Sequence, residues 1–213
     1  MVYLFLLDFK EFSKIQKEKC VMKILLLLIC LVTMLGCQST HYSYKNIDDY
    51  EKLLQETANV KPPVAGSSEE KRALKRFKEF YKVYSTEVIE EGMEDLYAED
   101  IWFGDPFHSV QGIDKTKKYF LAMAEPVEKC TFTINPVHRD GINYYFHWII
   151  NLEIKASKNN SIKALGISFV RFNEAGKIVF QQDYWDTSVM FDRIPVVGFW
   201  TRYAKKRIMK EAD

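Results

Sequence analysis

YYFHWIINLEI, residues 144–154, alternates along its length. Tyr144, Phe146, Trp148, Ile150, Leu152 and Ile154 fall on one side. Tyr145, His147, Asn151 and Glu153 fall on the other, and Ile149 is the single aliphatic interruption. A period of two belongs to a β-strand with one face in a core and one toward water. Ser157-Lys158-Asn159-Asn160 predicts a turn into a second strand over 161–173. Asn173-Glu174-Ala175-Gly176 predicts another, into a third strand over 177–186. Residues 129–137 read as a further strand of the same sheet. Strands joined by short turns pair antiparallel.

Upstream the period becomes helical. Ser67 and Glu70 have capping-box spacing. Leu74, Phe77, Tyr81, Tyr84 and Val88 follow at steps of three and four, which predicts one amphipathic helix stopped at Gly92. A short helix over 93–97 and a third over 112–123 flank Ile101-Trp102-Phe103-Gly104-Asp105-Pro106. Helices first and a hairpin-connected sheet afterwards give an α+β domain over 67–192, with the helices on one sheet face.

MKILLLLICLVTMLGC, residues 22–37, reads as an export leader: Lys23, an apolar run from Ile24 to Leu35, small Gly36, then Cys37. Met34-Leu35-Gly36-Cys37 resembles a bacterial lipobox. The resemblance implies a signal peptide over 1–36, a diacylated Cys37 and membrane attachment through it. Gln38 implies the outer membrane, periplasmic side, in a host with two membranes. The alternative is a buried helix or short anchor at 24–35. Residues 1–21 fit an over-extended start, with Met22 the expected first residue. Residues 37–66 are predicted as a tether with a short helix near 48–57 and a stiff Pro62-Pro63.

The whole chain has 30 basic and 29 acidic residues. The first 36 hold five Lys and three acids, leaving 25 and 26 in the remainder, a net of about −1. That balance argues against a nucleic-acid partner. Cys130 is the one thiol outside the leader and lipobox, so the core is expected to stand without disulfides. Aromatic residues make up 15% of the chain, which favours a large apolar interior or pocket. Residues 193–213 hold six basic and two acidic residues. They are predicted as a helix packed on the domain with its cations in water. The alternative is a helix lying on an anionic membrane surface.

The order helix stripe, Gly104-Asp105-Pro106-Phe107, Gly112, then strands running through Arg171-Phe172-Asn173 to Asp183-Tyr184-Trp185-Asp186 resembles the SnoaL-like, or nuclear transport factor 2-like, superfamily. Ketosteroid isomerase and several polyketide cyclases belong to it. The resemblance implies a cone-shaped, curved antiparallel sheet wrapped around N-terminal helices, a cystatin-like α+β fold. It implies a general base at Asp105, before Pro106. It places Tyr81 and Tyr84 on the pocket helix, and Ser168 where the isomerase has its oxyanion acid. Asp183 shares a strand face with Gln181 and Trp185 that points into the cone. Tyr84, Trp102, Trp148 and Trp185 would line the pocket, with Ser168 orienting a substrate and His108 a candidate proton shuttle. Epoxide hydrolysis on this fold needs an Arg between two Asp residues. Neither Arg171 nor Arg139 is placed for that.

Two readings are open for each carboxylate. Asp105 is either a base or the cap of the Asp-Pro bend, and Asp183 is either an acid or half of a structural polar pair. No ligand spacing for a metal, no phosphate loop and no nucleophile motif is present in the sequence, so no cofactor is expected. The sequence therefore leaves three expectations for one fold: an isomerase or cyclase acting on a small hydrophobic molecule, a non-catalytic carrier of such a molecule, or an assembly domain that forms a homodimer through its sheet face.

Overall fold

In a computed structural model, which describes residues 42–155, 161–194 and 196–210, the alternating stretch forms β4 (Asn143–Ile154). The leader, Cys37 and the residues up to 41 lie outside the described residues. Everything below, apart from the first turn of the earliest helix (42–45), belongs to the second of the chain's two units, Asn46–Asp213.

β4 pairs antiparallel with β3 (Val127–Asp140) and β5 (Ile162–Phe172), and β5 pairs antiparallel with β6 (Ile178–Trp185). β1 (Tyr97–Gly104) and β2 (Ser109–Gln111) complete a six-stranded sheet of order β2-β1-β6-β5-β4-β3. The sheet is α+β in setting, as expected, but mixed: β1 runs parallel to β6. The turn at Asn173–Gly176 announced the β5–β6 pair, and the one expected at 157–160 lies outside the described residues. A parallel pair joins strands distant in sequence, so no local turn residue marks it.

The inner face carries the helices. The stripe expected to form one helix forms two, α2 (Ser68–Lys82) and α3 (Thr86–Leu96), the numbering leaving α1 for an earlier helix. The break has a visible cause. Ser85 caps α3 by accepting from the Val88 amide, while Val83 bridges to Thr131 and the Tyr84 amide donates to the Cys130 carbonyl. Gly92 lies inside α3 rather than at its end. A Cβ there would stand 3.1 Å from the Phe80 ring, so glycine permits close helix approach. α4 (Ile113–Ala124) completes the layer. Phe77 stacks on Phe146 at 3.8 Å, joining α2 to β4 within the principal core.

α1 (Tyr42–Glu56), in the stretch expected as a tether, packs on the outer sheet face. Its Leu53 is buried with Trp102, Phe169 and Phe180. Arg171 donates to the Thr57 hydroxyl and to the Leu54 carbonyl, one of those a helix end leaves open. Beyond β6, α5 (Ser188–Phe191) leads to α6 (Val197–Lys210). α6 is a helix as expected, but its packing differs from expectation: only Gly198 is buried, and Phe199, Trp200 and Tyr203 are exposed.

Glu70 ties α2 to the sheet. Its amide donates to the Ser67 hydroxyl, and its carboxylate accepts from the Gly66 amide, the Tyr144 hydroxyl and Arg139. Burial opposes the charge, but those donors prevail and hold its pKa below the ordinary glutamate value. Glu70→Ala leaves Arg139 and Tyr144 without their acceptor and is expected to cost about 3 kcal/mol, read from urea unfolding midpoints. A depressed pKa contributes stability above the unfolded-state value that is lost as pH falls. The gap between the parent chain and Glu70→Gln should therefore shrink below about pH 4.

Candidate functional site

Past Phe146, the inward residues Trp148, Ile150, Leu152 and Ile154 line a cavity of about 180 Å³. Phe132 and Cys130 of β3, Phe120 and Met123 of α4, and Trp185 of β6 form its other walls. Cys130 behaves as an apolar group, since burial pushes its thiol up to about 12. A cavity of about 150 Å³ lined by apolar side chains accommodates benzene, so this one holds a group of roughly one ring.

Two carboxylates line this apolar cup, Asp105 and Asp183. Asp105 follows β1. Its Oδ1 accepts from the Phe107 and His108 amides at 2.8 and 2.9 Å, so it does cap the bend. Its Oδ2 accepts from the Tyr119 hydroxyl at 2.8 Å. The cap reading of Asp105 is thus met by one oxygen, while the other is bonded to Tyr119 and the residue lines the cup. Burial raises its pKa and these donors partly offset the rise.

Asp183 stands on β6, directly opposite Ser168 of β5. Gln181 donates to its Oδ1 at 2.9 Å, and the Ser168 hydroxyl also donates to the carboxylate. Behind Gln181 is a closed set of polar contacts: Tyr97 donates to its Oε1, its Nε2 donates to the Tyr81 hydroxyl, and the two tyrosine hydroxyls share a 2.6 Å bond. Burial pushes the Asp183 carboxyl up to about 7, Ser168 and Gln181 restrain the rise, and the charge of Asp105 adds to it. The two acids therefore sense each other through the cup.

Asp105, Asp183, Tyr84, Trp148 and Trp185 are brought together as cup-lining residues. Three expected pocket residues stand elsewhere. Ser168 lies behind the wall, accepting from the Trp148 indole at 3.0 Å, so it orients protein groups rather than a substrate. Trp102 is on the opposite sheet face, stacked on Phe180 at 4.9 Å, because alternation along β1 sends Phe103 inward and its neighbour outward. His108 sits outside the cup against Tyr119, its amide and carbonyl engaged with Asp105. Neither Arg139 nor Arg171 lines the cup. Among the described residues no cluster of three or more His, Cys, Asp or Glu could hold a metal.

The sequence reading missed Tyr119 and Tyr97 as partners. Tyr119 sits in a helix whose facing only tertiary packing fixes. Gln181 did carry a signal, since it shares a strand face with Asp183. Trp148 has its place because residue 166 is glycine: a Cβ there would stand 2.3 Å from the indole.

Residues 77–181 match the family model of the SnoaL-like domain. No curated protein matches the chain. Among solved structures, a nuclear transport factor 2-like protein of unknown function from Burkholderia pseudomallei is 14% identical with a TM-score of 0.52, over 61% of this chain and 100% of that one. A candidate SnoaL-like polyketide cyclase from Jannaschia sp. is 9% identical with a TM-score of 0.50, over 61% and 96%. An LEH-like epoxide hydrolase from M. tuberculosis is 18% identical with a TM-score of 0.48, over 59% and 88%. At these identities the likeness is one of fold.

A raised carboxyl pKa means the folded state binds the proton more tightly than the unfolded chain. Asp183 should therefore lower stability progressively as pH rises from about 4, its unfolded value, to about 7. Asp183→Asn is expected to flatten that slope and to be more stable than the parent at pH 8, measured by urea unfolding across the range.

Proposed function

Residues 77–181 belong to the SnoaL-like domain family, and on that premise we propose that the chain is an isomerase- or cyclase-type enzyme acting on a small hydrophobic molecule. One observation carries this reading: two carboxylates face a single apolar cavity, and burial brings one of them to about 7. Asp105, held by three hydrogen-bond donors, is the base; Asp183, protonated in part at neutral pH, is the acid. Asp105 takes a proton from a carbon beside a substrate carbonyl while Asp183 gives a proton to the carbonyl oxygen. Asp105 then returns its proton to another carbon of the same molecule, and Asp183 recovers its own. Protons balance within the site, so the step calls on no co-reactant.

The test begins with native mass spectrometry of the chain purified from its host, with extraction of whatever it holds. The expected result is a defined hydrophobic molecule that the parent chain converts. Asp105→Asn and Asp183→Asn should still bind it but lose about 100-fold or more in turnover. As the acid, Asp183 should make turnover fall as pH rises through about 7. Turnover unchanged in both variants would remove the catalytic roles.

A second reading, a non-catalytic binding or assembly module, is favoured by the outer sheet face. Ile149 and Leu165 are register partners there, 54% and 72% exposed, near half-exposed Tyr184. A reproducibly empty dimer would move the assignment to that reading.

For location, the order of Lys23, the apolar run, Gly36 and Cys37 supports a lipid-anchored protein of the bacterial envelope. No described helix is long and apolar enough to cross a membrane. Labelled palmitate should enter the chain and be lost with Cys37→Ser. Equal labelling of both would end the lipobox assignment.

A further inference from the structure

α6 inverts the usual amphipathic arrangement. Its polar side is the one tied to the rest of the unit: Thr201 and Lys205 bond the Asp192 carboxylate at 2.5 and 2.7 Å, and Arg202 donates to the Asp192 carbonyl. At about 3.6 residues per turn, Phe199, Trp200 and Tyr203 share the opposite side. They are 60%, 62% and 50% exposed. Their rings touch one another, at 5.3 Å for Phe199 and Trp200 and 6.2 Å for Trp200 and Tyr203, and meet no other aromatic ring among the described residues. A helix normally buries its aromatics and shows water its cations.

Charge indicates what covers this face. Residues 193–210 contain six cations and no acid. Lys206 and Lys210 flank Phe199 on the wheel, and Arg207 lies between Trp200 and Tyr203, donating to the Tyr203 hydroxyl at 3.5 Å. Trp and Tyr have an apolar body and a polar tip, which suits the level of lipid headgroups, and nearby Lys and Arg are drawn to anionic headgroups.

We propose that α6 is a membrane-surface helix that lays Phe199, Trp200 and Tyr203 into the headgroup region of an anionic bilayer, with Lys206, Arg207 and Lys210 against lipid phosphates. This contact is separate from any acylation of Cys37 and from the chemistry of the cup.

Trp200 supplies a local readout, since Trp102 and Trp148 are buried and Trp185 lies in the cup. The full chain is reconstituted into phosphatidylcholine vesicles with or without phosphatidylglycerol, using lipids brominated on the acyl chain. Trp200→Phe identifies its share of the emission. The expected result is blue-shifted, quenched Trp200 emission in the phosphatidylglycerol vesicles only. It should be reduced several-fold by raised salt and by the combined change Lys206→Glu, Arg207→Glu and Lys210→Glu. All three positions are exposed, and an unchanged melting curve confirms that the variant folds. Unquenched Trp200 in anionic vesicles overturns the proposal, as does equal quenching in neutral ones. A blue shift that grows with protein concentration without lipid also overturns it, because the occupant would then be a second copy of the chain.

Discussion

The inner face of β4 is longer than the helix layer that covers it. Its first inward residues, Tyr144 and Phe146, are sealed by Glu70 and by the Phe77 ring. Its later ones, from Trp148 to Ile154, line the cavity. An uncovered apolar strip on a strand is costly in water at about 25 cal/mol per Å². Here curvature and the flanking side chains of β3, α4 and β6 reduce the exposure without filling the space. Core and cup are thus one strand face in two states of coverage.

A carboxylate in such a place is expensive unless donors meet it. The two acids receive different treatment. Asp105 is held by two amides and a phenol, which keep it useful as an anion. Asp183 is met by an amide side chain and a hydroxyl that are themselves oriented by Tyr81, Tyr97 and Trp148. That buried framework fixes the geometry but leaves desolvation dominant, so the proton stays near neutrality. Different donors thus oppose the same desolvation at two similar groups.

Much of this was legible in residues 144–186. Alternation marked the inner face of β4, Asn173 to Gly176 marked the turn from β5 to β6, and alternation along β6 put Trp185 and Gln181 on the face of Asp183. What was not legible depended on long-range pairing. Nothing near Ser85 in the apolar stripe announced that the helix would break there to let Val83 bridge to Thr131. Trp102 reads like any aromatic beside an Asp-Pro, and which of Trp102 and Phe103 faces inward is set by how β1 seats in the sheet beside β6. Ser168 was set on the correct strand face, yet alternation cannot distinguish a residue that reaches the cavity from one stopped by the indole in front of it.

The parallel pairing has a consequence for how the chain is made. β6 is the last strand in sequence but lies inside the sheet, between β1 and β5. Until it emerges, a nascent chain holds two separate pieces of sheet, β1 with β2 and β3 to β5, each with an open edge where β6 belongs. Open edges invite pairing with other chains, and contacts distant in sequence form slowly. One strand both joins the halves and delivers Asp183 to Asp105. The two carboxylates of the cup are therefore brought together by the same pairing that closes those edges.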